Sequence, residues 1–239
     1  MKTYIITRFS ILDTNSNSWV ITRKNKNIEE LKNNLFSENR LNEKMLAFEK
    51  ITYKSIINQT NQNFIWLIFI SSILPKKYKK ILYDMKKDNI KIIEVNNINE
   101  FNKYISSFDY EKDYSTVRLD DDDGLNINFV EKLNYFYNKS DNKSEIYSLV
   151  NGHKITIKNG DIYLENNIFK YKKIAIGLTK FNGNIYSCGN HTRVDENNKV
   201  IYDEDDNMFL IYSSKICDTK REFNISESAK IEDIISYIK

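Results

Sequence analysis

The stretch Val117-Arg118-Leu119-Asp120-Asp121-Asp122-Asp123-Gly124-Leu125 places four consecutive carboxylates directly after an apolar, strand-like run. Like charges so close repel one another, and each is costly to desolvate, so a folded chain must compensate them. A divalent cation would do so. Asp120 and Asp122 stand two apart and can both offer oxygens to one hard ion, and Mg²⁺ or Mn²⁺ takes one or two carboxylates with water and substrate phosphates completing its shell. A diphosphate is the expected companion. The competing reading is a solvated loop whose aspartates favour the start of a following helix by about 0.3–1 kcal/mol. The strand-terminal position, with Gly124-Leu125 expected to turn straight into a helix, favours the metal site and leaves Asp123 as the helix cap.

Two further groups carry chemistry. Gly189-Asn190-His191-Thr192-Arg193 follows an expected strand and sets an imidazole beside a guanidinium, able to contact a diphosphate or to complete a metal shell, although a lone His in a polar loop can simply be exposed. Asp203-Glu204-Asp205-Asp206 is a second acidic run, in which Asp205 is the candidate general base and a solvated turn is the alternative. His153 reads as an ordinary strand residue. Cys188, Cys217, His153 and His191 are not at zinc-site spacings, so a metal here would be oxygen-rich in its ligands, and the cysteines read as small buried hydrophobes of a reducing cytoplasm. Trp66 reads as core, and Trp19, in a polar loop, as core, rim or a platform for a base or sugar.

These groups need a scaffold, and the chain can build one. Its 239 residues include 16 Tyr and 13 Phe, enough for a sizeable core, and its net charge of +3 lacks the basic excess of a dedicated nucleic-acid binder. All six glycines lie at or beyond Gly124, which excludes a phosphate-cradling glycine loop in the first half and with it Walker-type and ordinary dinucleotide-binding folds. No apolar run approaches the ~18 residues of a membrane span. The start, Met1 to Arg8, becomes polar too soon for a signal peptide. The expected location is the cytoplasm, free or peripheral on the inner face of the membrane.

Strands are expected at Thr3–Arg8, Phe64–Ile70, Ile90–Val95 and Ser115–Leu119. Between them, helical faces are marked by Leu41, Met45, Phe48 and Ile51, by Tyr78, Ile81, Leu82 and Met85 after Pro75, and by Ile98, Phe101 and Ile105. Such alternation predicts a mostly parallel sheet with ligands at the strands' carboxyl ends. After a helix carrying Phe129, Leu133 and Phe136, short strands are expected at Ile146–Val150, Lys154–Ile157, Asp161–Leu164, Lys173–Ile176, Ile185–Cys188 and Met208–Tyr212. Asn159-Gly160 and Asn182-Gly183 mark turns, and a helical tail runs through Ile231, Ile234, Ile235 and Ile238. The expectation is one α/β domain: a Rossmann-like nucleotide-binding half, residues 1–125, then a β-rich acceptor half, residues 126–239.

Leu119-Asp120-Asp121-Asp122-Asp123-Gly124 resembles the Asp-x-Asp element of GT-A glycosyltransferases, which use a nucleotide-sugar and a divalent metal. More narrowly, four stretches in order resemble the rhamnosyltransferase family of bacterial surface-polysaccharide loci. They are Thr7-Arg8-Phe9-Ser10, Phe48 to Ile56 with Gln59-Thr60, Phe64 to Ile68 leading to Leu74-Pro75, and Arg118 to Leu125. The resemblance is close over residues 1–135 and loose beyond. It implies a GT-A-like fold in which Thr7, Arg8 and Phe9 border the nucleotide and Asp120 lies near the ribose and the metal. Asp122 would ligate the metal directly, while Arg118 is the basic residue ahead of the run. The residues' own chemistry, apart from the resemblance, adds Asp121 and Arg193 to the expected donor site and His191 to the metal or the chemistry. Related transferases often carry an acidic residue after the second strand, where this chain has Ser71-Ser72. The implied activity is Mn²⁺- or Mg²⁺-dependent transfer of a sugar, such as L-rhamnose, to a saccharide or lipid-linked saccharide in capsule or lipopolysaccharide synthesis, with inversion. Two rivals use the same carboxylates: a nucleotidyl- or phosphotransferase, and a non-catalytic Ca²⁺- or saccharide-binding module.

Overall fold

The computed structural model describes residues 1–14, 21–22, 27–140, 143–214 and 222–238; Trp19 and Cys217 lie outside them. Four strands, β1 (Lys2–Phe9), β2 (Phe64–Ser71), β3 (Ile90–Val95) and β4 (Tyr114–Arg118), run parallel in the order β4-β1-β2-β3. The apolar runs of β1 and β2 are buried on both faces, as central strands covered on each side require, whereas the edge strand β3 exposes Lys91 and Glu94. After helix α1 (Ile28–Leu35), the β1-to-β2 crossover is α2 (Glu38–Ala47), which continues through a wider π turn (Phe48–Tyr53) into Lys54–Ile57. The face predicted for it, Leu41, Met45, Phe48 and Ile51, is buried to the last residue. Helix α3 (Lys76–Asp84), led in by Pro75, joins β2 to β3, and α4 (Ile98–Ser106) joins β3 to β4. Asn97 caps α4 by accepting from the Asn99 and Glu100 N–H groups.

The chain leaves β1 toward β2 on one side and returns from β3 to β4 on the other. A crevice therefore opens at the carboxyl ends of β1 and β4, the topological switch point where open α/β sheets take ligands.

Beyond β5 (Gly124–Leu125) and α5 (Phe129–Lys139), three strands of the second half extend this same sheet: β6 (Ile146–Leu149), β10 (Leu178–Phe181) and β11 (Val200–Asp203). The order is β11-β6-β10-β4-β1-β2-β3, and only β10 runs against its two neighbours. A second sheet has the order β13-β8-β7-β12-β5, from β7 (Asn151–Lys158), β8 (Asp161–Glu165), β12 (Phe209–Tyr212) and β13 (Ser228–Ile231), with β9 (Phe169–Lys170) also on β7. The result is a mixed α/β single domain with a large, mostly parallel sheet. Its main core packs Phe9, Phe48, Trp66, Val117, Phe129 and Tyr147 between the layers.

Several expected elements differ. Lys173–Ile176 is not a strand: Lys173 at φ +60 and Gly177 at φ +68 bracket it with left-handed turns. Ile185–Cys188 is a 3₁₀ turn, because the Asn184 side chain accepts from the Tyr186 N–H and its carbonyl from Ser187, local bonds that displace a strand ladder. Gly124-Leu125 does not enter a helix but pairs antiparallel with Leu210 and Phe209. Asp123 is accordingly no helix cap; its Oδ1 accepts the Tyr212 N–H at 3.1 Å. In the tail, Ile231 ends β13, and only Ile234–Tyr237 (α6) is helical, capped by Asp233.

Candidate functional site

At the switch point lies an open cleft of about 290 Å³. Asp120, Asp121, Asp122 and Asp123 form one wall, and four cations, Arg8, Arg40, Lys44 and Arg118, stand among them. His191, Thr192 and Tyr171 approach from the second half of the chain, and Ile174 to Ile176 give it an apolar flank.

The β1–β4 register builds the wall. Ile6 pairs with Arg118, and the Leu119 N–H donates to the Ile6 carbonyl at 3.1 Å, so the acidic run begins where the ladder ends. Asp120 is held from both sides, by Arg118 at 3.3 Å and Arg8 at 4.0 Å. Burial works to raise its pKa, but the Arg118 and Arg8 charges outweigh burial and hold it down at about 2. The side chain is 36% exposed, so water and salt screen both pairs. Arg8 is itself stacked, its guanidinium 4.9 Å from the Tyr186 ring centroid and 5.7 Å from that of Phe101. Tyr186 in turn donates its hydroxyl to the Ile6 carbonyl.

Lys44, on α2, bonds the Asp121 carboxylate and lies 3.8 Å from Asp122. Burial opposes its charge, but Asp121 and Asp122 outweigh that and push its pKa up, so the ammonium stays charged. Arg40, one turn earlier, donates to the Ser10 hydroxyl and the Leu35 carbonyl, both at 3.2 Å. The acidic run is thus compensated in large part by the protein's own cations. Composition and the linear pattern gave neither lysine nor arginine of α2 a role; the available signal was their i, i+4 spacing beside the apolar face of Leu41 and Met45.

The other expected residues divide. Thr7 and Phe9 are fully buried and lie apart from the cleft: strand alternation turns them to the core, where Thr7 accepts from the Trp66 indole at 2.9 Å and Phe9 packs on Phe48, while Arg8 between them reaches the site. His191 lines the cleft, and its Nδ1 is 2.7 Å from the Lys173 carbonyl. A carbonyl only accepts, so Nδ1 carries the proton and Nε2 is the basic nitrogen of the neutral ring. Arg193 is turned away, forked onto Glu196 at 2.7 and 2.9 Å with 68% of its side chain exposed. Asp205 is also outside the cleft lining; it is 70% exposed and tied to Lys132, which holds Asp203 as well. His153 is buried in the second sheet between the Glu165 carbonyl and Asn207.

Among the described residues, no three His, Cys, Asp or Glu side chains converge as a ready ligand set. The donors present are nonetheless hard oxygens suited to Mg²⁺ or Mn²⁺: Asp120 and Asp122 face the cleft, and Asp121 Oδ2 is a buried oxygen without a hydrogen-bond donor. An ion binding there would exchange with the ammonium and guanidinium groups that now neutralise the run.

The fold is similar to residues 1–349 of S. aureus TarS, at 11% identity over 89% of this chain and 60% of that one, TM-score 0.48. The same TarS segment in complex with UDP-GlcNAc aligns at 11% identity over 97% and 62%, TM-score 0.46. The inositol-1-phosphate CTP transferase from T. maritima aligns at 11% identity over 88% and 89%, TM-score 0.39. This chain therefore spans about three fifths of the length of the TarS segments it matches. No curated protein matches it. The family described as "Putative rhamnosyl transferase" matches residues 2–225, essentially the whole scaffold that carries the cleft, and the chain belongs to that glycosyltransferase family.

Proposed function

We propose that the chain moves a sugar, L-rhamnose by its family, from a nucleoside-diphosphate donor to a saccharide or lipid-linked saccharide acceptor in bacterial surface-polysaccharide synthesis. The observation that carries this reading is the joining of Arg8, Arg118, Lys44 and Arg40 with Asp120 and Asp122 at one switch-point cleft. Cations of that density suit a diphosphate, whose charge grows as the sugar–phosphate bond breaks. Arg118 and Arg8 offer the forked donors that match phosphate oxygens, and the stacked Tyr186 and Phe101 rings keep Arg8 aimed. A Mg²⁺ or Mn²⁺ bound by Asp120 and Asp122 would act as a Lewis acid on the leaving diphosphate. Lys44, held charged by Asp121 and Asp122, would add a further cation to that site. Inverting transfer also requires a base for the acceptor hydroxyl. His191 is our candidate, since it lines the cleft and its Nδ1 donates to the Lys173 carbonyl, which orients the ring with Nε2 as the accepting nitrogen of its neutral form.

The test is product analysis with nucleotide-sugar donors and Mn²⁺. The wild type should release a nucleoside diphosphate, and Asp122→Ala, on a fold unchanged by circular dichroism, should lose at least about 100-fold in turnover. Release of pyrophosphate would indicate nucleotidyl transfer instead. Full activity of Asp122→Ala in the presence of EDTA would remove the metal from the mechanism.

A further inference from the structure

Outside the cleft, one stretch of the chain carries a local excess of positive charge. Residues 73–94 hold seven lysines against Asp84, Asp88 and Glu94, a local +4 in a chain whose total is +3. The element responsible is α3, whose inner face buries Tyr78 and Leu82. Lys76, Lys80 and Tyr83 follow at i, i+4 and i+7 on its outer face, and Lys86, Lys87 and Lys91 continue the stripe through the turn onto β3. Lys77 and Lys79 are spoken for, paired with Glu38 and Glu94. The ammonium groups of Lys76, Lys80, Lys86, Lys87 and Lys91 have no ion pair or hydrogen bond among the described residues. Two large side chains are exposed beside them, Ile73 at 49% and Tyr83 at 41%, the Tyr83 hydroxyl donating to Glu94 at 2.8 Å. Near its far end, Lys86, Lys87, Asp88 and Lys91 border an open groove of about 620 Å³.

An outward row of lysines without ion pairs, with the aliphatic Ile73 and the ring of Tyr83 beside them, matches an anionic lipid surface: headgroups meet the ammonium groups, and Ile73 and the Tyr83 ring pack at the interface. We propose that the α3–β3 face docks the protein on an anionic bilayer. The orientation is useful, because Ile73 follows β2 at the carboxyl end of the parallel strands, the end that carries Arg8 and Asp120. Docking through this face lays α3 along the bilayer with its Ile73 end on the side of the sheet that carries the cleft, where a lipid-linked acceptor would present its sugar. The docking itself stands independently of which sugar is transferred.

The experiment is co-sedimentation with vesicles of phosphatidylglycerol and phosphatidylcholine in equal amounts, and with phosphatidylcholine alone. The full chain should bind the former only, and less as salt rises. The triple variant Lys76→Gln, Lys80→Gln, Lys87→Gln should bind about 100-fold more weakly, at about fivefold per lysine. Ile73→Ser with Tyr83→Ser should weaken binding while leaving its salt dependence in place. All these side chains are exposed and none lines the cleft, so soluble turnover should be unchanged and confirms folding. Equal binding of the triple variant, no binding of the wild type to anionic vesicles, or tighter binding to single-stranded RNA than to the vesicles would each overturn the proposal.

Discussion

At the residue scale, the site is a balance of charge. Four adjacent aspartates are tolerable because Arg118, Arg8 and Lys44 neutralise them, and Asp120 is held in its ionised form by Arg118 and Arg8. Its folded-state pKa of about 2 lies below the ordinary carboxylate value of about 3.9, so its contribution to stability is complete above about pH 4 and is lost as pH falls toward 2. In metal-free protein, the melting temperature of the wild type should therefore fall more steeply across that acid window than that of Asp120→Asn. Parallel curves would mean that the two arginines do not hold the carboxylate in solution. The acidic run and Arg118 were visible in the sequence because their spacing is local. Arg40 and Lys44 were not, because their partners Ser10 and Asp121 lie 30 and 77 residues away and only the folded crossover brings them in.

At the element scale, local rules worked where one face of an element dominates. The periodicity of α2 and the apolar runs of β1 and β2 gave both their type and their buried side. They failed where side chains bond their own backbone, as at Asn184, or where one residue takes a left-handed conformation, as at Lys173. Strand alternation also redistributes the Thr7-Arg8-Phe9 motif, giving Arg8 to the site and its neighbours to the core. Gly177 matters most among the turns. It takes φ +68, its N–H donates to the Arg118 carbonyl at 2.9 Å, and a Cβ there would meet Leu125 and Leu149 at 2.9 Å. Gly177→Ala should cost about 2 kcal/mol from strain and crowding combined, read as a lower urea midpoint at constant slope. An unchanged midpoint would show that the loop bordering the acidic run repacks freely.

At the scale of the whole molecule, the two halves expected from the sequence share one sheet. β4 is flanked by β1 from the first half and β10 from the second, and β6 and β11 extend the sheet further. A fragment ending at Leu125 would expose the long inner edge of β4 and lose β12, the partner of β5, so it should be unfolded or aggregated when expressed alone. A soluble fragment with dispersed amide resonances would show that the first half folds independently. No helix among the described residues is long and apolar enough to cross a membrane. The parallel core was legible because it is built from consecutive strand–helix units; the insertion of β10, β6 and β11 was not, because nothing local records which edge a later strand will join. The central claim is that this shared sheet holds a nucleoside diphosphate at the ends of β1 and β4, and titration calorimetry of UDP and dTDP with and without Mn²⁺ tests it most directly. Binding of one of them, tightened by Mn²⁺ and weakened at least about tenfold in Arg118→Ala, is the predicted result; no binding of either, or equal affinity in Arg118→Ala, would contradict it.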